Sequence, residues 1–220
     1  MSQPADAEEN LRVIRQLMER ATVYRAVSSP SALVAGLLSI LAAGGVYFNN
    51  EIKLVLGRAV GPREFALLWV IVLILAGLAN AFFLGREARA SGRPFISAGM
   101  RLALRAIAPT LVIPAAFTLW FFQTGYLGGQ ELELVVVWVA FYGLALLSTG
   151  LFAPRSLVIL GWAMLLTALS VPVIGGAIDR LTDDVPDTVM GITFGFYHLI
   201  YAVATWASSG PRPMEQSAIE

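Results

Sequence analysis

The chain has 220 residues, of which 57% are hydrophobic and 14% are charged, and its formal net charge at pH 7 is zero. Soluble domains average about 45–50% apolar and about 25% charged residues, and disordered chains are more polar still. The composition excludes disorder, and without a basic excess we expect no nucleic acid as a partner. The absence of cysteine excludes disulfides and thiolate chemistry. These figures indicate an integral membrane protein.

Residues 1–30 are predicted to be a cytoplasmic segment that contains an amphipathic helix over residues 7–27. Asp6 followed by Glu9 resembles a capping box at its start. Apolar side chains then share one arc of a 3.6-residue period. They are Leu11, Ile14, Leu17, Met18, Ala21 and Tyr24. We expect this helix to lie on anionic lipid, to bind a cytoplasmic protein partner, or to cover the end of a helix bundle.

Six apolar windows, each near the 20 residues of a spanning helix, are predicted within residues 31–207. They cover residues 31–48, 65–84, 106–122, 134–152, 157–175 and 189–207. None contains Asp, Glu, Lys or Arg, and such a charge at the bilayer centre costs roughly 2.5–3.5 kcal/mol. The predicted fold class is therefore all-α: a polytopic transmembrane bundle of six spanning helices plus the N-terminal cytoplasmic amphipathic helix. Residues 208–220 are predicted to be a cytoplasmic tail.

The distribution of Lys and Arg predicts the orientation of the bundle. Eleven of these residues lie on the side that holds both termini, and four lie on the opposite side. Because the cytoplasmic side carries the excess of Lys and Arg, we expect both termini in the cytoplasm. The predicted location is the inner membrane of a bacterium, and the first span is expected to be an uncleaved anchor.

Five polar side chains within the predicted spans are candidates for binding a ligand or for joining helices. They are His198, Asn80, Tyr142, Thr149 and Tyr197. His198 is the one histidine of the sequence, and ionisable groups inside membrane spans are functional candidates. It can bind a ligand, titrate, or be a neutral side chain bonded to a neighbouring helix. Asn80 is expected to bond to another helix.

Small residues and prolines predict where helices approach each other and where they bend. Gly77 with Ala81, and Gly191 with Gly195, have the four-residue spacing that permits close helix contact, either inside the bundle or between the subunits of a homo-oligomer. Pro109 and Pro114 interrupt one short span and are hinge candidates. Tryptophans near span ends are typical of an aromatic belt; they are Trp69, Trp120, Trp138 and Trp206.

The connecting loops contain two charged segments that are candidate binding sites. The loop after the second span and the start of the third carry five arginines that can bind lipid phosphates or a partner, or can simply anchor the protein. These are Arg86, Arg89, Arg93, Arg101 and Arg105. The acidic loop over residues 179–187 lacks the spacing of a calcium-binding EF-hand. We therefore expect a solvated loop, with no metal site and no cofactor.

Two stretches carry a resemblance to a known group of proteins. They are residues 18–25 before the first span and residues 195–202 in the sixth. Together they resemble an uncharacterised group of small bacterial polytopic membrane proteins. The resemblance covers about 16 residues of this chain. It implies a gene encoded beside a winged-helix transcriptional regulator, and it implies no catalytic residue.

These patterns favour a non-enzymatic sensory or regulatory membrane component. The cytoplasmic helix over residues 7–27, the basic loop and the lack of a carboxylate inside the predicted spans support this hypothesis. The alternative is a small-molecule or lipid transporter or a channel, which would use the interrupted third span and the polar candidates. An intramembrane enzyme is the third hypothesis, because among the predicted spans His198 is the single side chain suited to acid–base chemistry.

Overall fold

The computed structural model describes residues 28–56, 61–90, 92, 95–96, 98–124, 131–150, 153–178 and 185–207. All regular structure within these residues is helical. The elements are α1 (Ser29–Leu56), α2 (Pro62–Ala90), α3 (Ala98–Thr124), α4 (Glu131–Ser148), α5 (Arg155–Ile178), α6 (Val185–Met190), a π-helical segment (Gly191–Phe196) and α7 (Tyr197–Ala207). The last three follow one another without a break, and we call residues 185–207 the sixth span.

Six helices are long and apolar enough to cross a membrane, which confirms the all-α class and the predicted number of spans. They are α1 to α5 and the sixth span, and they indicate a multi-pass membrane protein. The helix predicted over residues 7–27 and the tail over residues 208–220 lie outside the described residues.

Several helices differ from the predicted windows at their ends, because polar side chains fit there. α4 begins at Glu131, where an acidic group faces the positive end of the helix dipole. It ends at Ser148 rather than at residue 152, since Thr149 Oγ1 donates to the Leu146 carbonyl at 2.6 Å and Gly150 N–H donates to the Leu147 carbonyl at 2.9 Å. These bonds satisfy carbonyls that a helix end leaves without partners.

The helices alternate in direction between two ends of the bundle. We call the end at which α1 begins and α7 ends the terminal side, and the opposite end the far side. Side-chain contacts fix this arrangement: Ser29 of α1 bonds to Thr205 of α7 on the terminal side. On the far side, Ala66, Phe121 and Leu134 form one buried cluster from α2, α3 and α4.

α1, α4 and the sixth span form the centre of the bundle. α4 packs along α3 and α5, whereas the sixth span packs chiefly along α1. Buried residues from these elements, including Ala32, Val139, Met164 and Ala202, share one apolar core. α2 and α3 lie at the periphery, and 11% of the apolar window of each is buried, compared with 44% in the sixth span. The centre of the bundle is therefore where polar side chains are buried.

Candidate functional site

His198 lies in a closed polar and aromatic cluster at the centre of the bundle. Its side chain is 3% exposed, and its Nε2 is 2.9 Å from the hydroxyl of Tyr142 on α4. Its Nδ1 is 3.3 Å from the Thr193 carbonyl. Because a carbonyl only accepts, a neutral ring with its proton on Nδ1 satisfies both contacts, with the Tyr142 hydroxyl donating to Nε2. The structure thus brings two of the five polar candidates together.

Phe194 completes this cluster as its aromatic wall. Its ring stacks on His198 with centroids 6.0 Å apart and planes 15° apart. The Tyr142 ring meets Phe194 edge to face at 5.1 Å. We call Tyr142, Thr193, Phe194 and His198 the His198 cluster. Its rings fix the histidine between α4 and the sixth span.

The helix immediately before His198 is π-helical, which no pattern in the sequence indicated. The Tyr197 N–H donates to the Ile192 carbonyl, five residues earlier, instead of four. Thr193, fully buried, directs its hydroxyl back to the Val189 carbonyl at 2.7 Å. A π turn inside an α-helix is rare and is frequent at functional sites. The segment therefore marks the His198 cluster independently of the histidine itself.

The Gly191 and Gly195 pair packs inside the bundle, against α1. A Cβ atom at Gly195 would lie 2.7 Å from Ile40 Cγ1, and one at Gly191 would lie 3.0 Å from the Cβ of Ala43. In return, a Cβ at Gly36 of α1 would lie 3.0 Å from the Gly195 carbonyl oxygen. Because these contacts leave no room for larger side chains, this glycine pair serves the α1 interface within one chain.

Four further side-chain hydrogen bonds join neighbouring helices. Tyr197 on α7 pairs with Thr167 on α5 at 2.9 Å, so this predicted candidate bonds to a helix rather than to His198. Trp138 Nε1 on α4 donates to Thr118 Oγ1 on α3 at 2.8 Å. The Ser29 and Thr205 hydroxyls are 2.8 Å apart. The fourth bond joins Trp69 and Asp187.

Asp187 is a buried carboxylate in the first turn of the sixth span. It is 8% exposed and accepts a hydrogen bond from Trp69 Nε1 of α2 at 3.4 Å. The sequence analysis placed Asp187 in the acidic loop and Trp69 in an aromatic belt. Trp69 is instead 3% exposed, and its buried indole N–H has its acceptor in Asp187. Residues 179–184 of that loop lie outside the described residues.

The remaining interhelical candidates lie away from the His198 cluster. Thr149 is fully buried on the terminal side and bonds within its own turn. Asn80 is half-buried in α2, a helix that packs mainly on α1. Gly77 and Ala81 are exposed, and a Cβ at Gly77 would meet nothing within 4 Å.

The hinge and basic candidates lie on α2 and α3. Both prolines are inside the continuous helix α3, with Pro114 buried and Pro109 exposed. The basic side chains are exposed on the terminal side, on the last turns of α2 and the first turns of α3. They are Arg86, Arg89, Arg101 and Arg105; Arg93 lies outside the described residues.

Sequence reasoning missed a close backbone contact between two helices, which joins α4 and α5. A Cβ at Gly143 would lie 2.8 Å from the Gly161 carbonyl oxygen, and one at Gly161 would lie 3.1 Å from the Gly143 carbonyl oxygen. The two glycines belong to different spans, so a search for paired small residues within one span does not find them. A glycine inside each of these two apolar windows was the available signal.

Comparison of the chain with protein-family models, curated proteins and solved structures returned no match. The resemblance carried by residues 18–25 and 195–202 therefore remains a prediction. Within the described residues, no group of three or more His, Cys, Asp or Glu side chains is placed to hold a metal ion.

Proposed function

We propose that the protein is a non-enzymatic sensory or regulatory component of a bacterial inner membrane, with its terminal side in the cytoplasm. The observation that carries the proposal is the π segment directly before His198, where the sixth span packs on α1 and bonds to α4. A regulatory protein needs an element that has two discrete arrangements. Both the site that receives the signal and the site that binds the partner must shift the equilibrium between these arrangements. The π segment supplies such an element.

The second arrangement is the α-helical register of the same residues. A change of Gly191–Phe196 from i→i−5 to i→i−4 bonding rotates α7 by about 100° relative to α6, since each helical residue turns by that angle. This rotation removes His198 from Tyr142 and Tyr197 from Thr167. Two hydrogen bonds therefore hold the π register, and a signal that weakens them favours the α register.

The rotation reaches the terminal side through α7 and α1. Thr205 of α7 bonds to Ser29, the first residue of α1, and residues 7–27 precede that point in the chain. A rotation of α7 changes this contact and so changes what the N-terminal segment presents. We propose that residues 7–27 bind a cytoplasmic protein partner, in agreement with their amphipathic pattern.

The proposal is tested with the full-length protein in its native cells. A photo-crosslinking amino acid replaces Gln16, and captured proteins are quantified by mass spectrometry in wild type, Tyr142→Phe and a deletion of Ile192. Tyr142→Phe is expected to change the yield of one defined adduct several-fold. Deletion of Ile192 removes the extra residue of the π turn, so an ordinary α-helix then holds His198 in the same position. This variant is therefore expected to give the same adduct as wild type, at the same yield.

Tyr47→Phe is the matched control, because the Tyr47 ring is 48% exposed on α1 and contacts Phe48. Its adduct yield is expected to equal that of wild type. Equal yields in wild type, Tyr142→Phe and Tyr47→Phe would contradict the proposal, and so would the absence of any adduct in all of them.

A small-molecule or lipid transporter is the second candidate, and the structure of α3 favours it. Pro109 and Pro114 both lie inside this helix, and the main packing partner of α3 is a single helix, α4. An element with few contacts and two missing backbone donors can move relative to the bundle. Flux of a fluorescent phospholipid across proteoliposomes, lost in a Pro109→Ala and Pro114→Ala variant, would favour transport over regulation.

A further inference from the structure

The ends of α1 and α7 form a shallow apolar groove on the terminal side. Leu33, Ala202, Val203 and Trp206 line it, and its volume is about 340 Å³. Ala202 is 2% exposed and forms the floor, whereas Val203 and Trp206 are 66% and 61% exposed. We call these four residues the α1–α7 groove. The described residues of the bundle do not fill it.

The chain enters the bundle beside this groove. The hydroxyls of Ser29 on α1 and Thr205 on α7 are 2.8 Å apart, and Trp206 directly follows Thr205. Leu33 lies one turn after Ser29, about 6 Å along the helix axis. The 27 residues that precede Ser28 are therefore tethered next to the groove.

Ser28 turns the chain away from the axis of α1. Its carbonyl accepts the N–H of Ala32 at 3.0 Å, and its hydroxyl oxygen accepts the N–H of Ser31 at 3.4 Å. The Ser31 hydroxyl donates in turn to the Ser28 carbonyl at 2.8 Å. This is the pattern of an N-cap, a residue whose own backbone is not helical. A helix over residues 7–27 is therefore separate from α1 and can lie along the bilayer surface.

The groove lies at the depth at which an interfacial helix inserts. The apolar window of α1, Ser29–Phe48, has 20 residues and is about 30 Å long, as thick as the hydrocarbon core of a bilayer. In a bilayer, Ser29 is then at the edge of the core and Leu33 is about 6 Å inside it. An amphipathic helix in the interface buries its apolar face about 5–10 Å into that boundary. The two depths agree.

Residues 7–27 carry an apolar arc that can reach the groove. Tyr24, at the C-terminal end of this arc, is five residues before Ser29, so the connection spans at most about 17 Å. Ala21 lies at the centre of the arc, and Arg12 and Glu19 lie opposite it at 100° per residue. A helix of this pattern can present its apolar side to the groove while its charged side stays in water.

We infer that the α1–α7 groove is the docking site for the N-terminal segment of the same chain, residues 7–27. The apolar arc centred on Ala21 packs on Leu33, Val203 and Trp206. Because the segment is tethered beside the groove, its effective concentration there exceeds that of a second copy. The docking goes beyond the proposed function and does not depend on it. The proposed cytoplasmic partner uses the same arc, so docking and partner binding exclude each other; this last point alone rests on the proposed function.

Disulfide formation between two introduced cysteines tests the docking, since the chain contains no cysteine. The purified full-length protein is placed in nanodiscs that hold one copy each and is exposed to copper phenanthroline, and the linked peptides are quantified by mass spectrometry. The pair Ala21→Cys with Val203→Cys is expected to close several-fold faster than either of two control pairs, because a disulfide needs Cα atoms within about 7 Å of each other.

Each control pair changes one position of the test pair. Glu19→Cys replaces Ala21→Cys, because Glu19 lies on the opposite face of the predicted helix. Ile159→Cys replaces Val203→Cys, because Ile159 is 68% exposed one turn after the start of α5 and does not line the groove. Equal rates for all three pairs would overturn the inference and would show that lipid covers the groove.

A second set of variants separates the apolar arc from the tether. Leu17→Ser with Met18→Ser, added to the test pair, leaves the sequence of the described bundle unchanged and is expected to lower the rate to that of the controls. Arg12→Ser with Glu19→Ser, on the charged face, is expected to keep the rate of the test pair. An unchanged rate in the first of these variants would overturn the inference. Disulfides that form only between isotopically light and heavy chains, in nanodiscs that hold two copies, would assign the groove to a second copy and overturn it as well.

Discussion

At the scale of single residues, side-chain hydrogen bonds join several pairs of helices in the described part of the chain, as Trp138 and Thr118 join α4 and α3. Such bonds average about 0.6 kcal/mol in membrane proteins, because the unfolded state in the bilayer also finds partners. The His198 cluster is different, because His198 is 3% exposed and has both ring nitrogens bonded. Loss of one partner leaves a buried polar atom unsatisfied, which costs about 1–3 kcal/mol.

Tyr142→Phe tests this difference. The variant keeps the ring that packs on Phe194 and removes only the hydroxyl that is 2.9 Å from His198 Nε2. We expect the free energy of unfolding, measured in mixed micelles, to fall by about 1–2 kcal/mol. Tyr47→Phe, at an exposed position, is expected to change it by less than about 0.5 kcal/mol. Equal stability of the two variants would show that the Tyr142 hydroxyl contributes nothing.

The Trp69 and Asp187 pair is tested by a double-mutant cycle. Trp69→Phe and Asp187→Leu are made singly and together, so that the coupling energy isolates their hydrogen bond from other contacts. We expect a coupling of about 0.5–1.5 kcal/mol. A cycle of Trp162 with Asp187 is the control, because Trp162 is 52% exposed on α5. A coupling energy no larger than in that control would show that Trp69 and Asp187 do not form a stabilising hydrogen bond.

The sequence predicted the polar residues of the site better than their pairing. His198 and Tyr142 were both candidates from their polarity inside apolar windows. Their distance along the chain is 56 residues, so only the packing of α4 against the sixth span brings them together. Thr167, the partner of Tyr197, was missed because a threonine hydroxyl can also bond to its own helix, as this one does to Ala163.

At the scale of whole elements, glycines decide how closely the helices approach. Gly191 and Gly195 were predicted from their four-residue spacing, and the structure assigns them to α1. Gly143 and Gly161 make a second close contact, with backbone against backbone, and no spacing within one helix indicates it. The π segment was equally invisible, since its residues Gly191–Phe196 continue the apolar pattern of an ordinary helix.

Gly143→Ala is expected to force α4 and α5 apart. Its Cβ would lie 2.8 Å from a carbonyl oxygen of the facing backbone, which cannot rotate away as a side chain can. We expect a loss of about 1–3 kcal/mol in the free energy of unfolding in micelles. Gly77→Ala is the control, because its Cβ meets nothing within 4 Å. That substitution is expected to be neutral or stabilising, since alanine favours the helix. Equal effects of the two would contradict the described α4–α5 contact.

At the scale of the whole molecule, the predicted topology divides a net charge of zero between two opposed faces. It assigns eleven of the fifteen Lys and Arg residues to the side that is predicted to hold both termini. Described arginines of this group, such as Arg89 and Arg101, are exposed at the terminal side. The proposed cytoplasmic partner requires this side to face the cytoplasm, so the proposed function depends on the orientation of the bundle.

Cysteine labelling tests that orientation most directly, because the natural chain contains no cysteine. Ala90→Cys places a single thiol at an exposed position on the terminal side, and Glu133→Cys places one at an exposed position on the far side. In intact spheroplasts, a membrane-impermeant maleimide is expected to label Glu133→Cys at once and Ala90→Cys only after lysis. Labelling of Ala90→Cys in intact spheroplasts, with protection of Glu133→Cys, would contradict a cytoplasmic position of the terminal side.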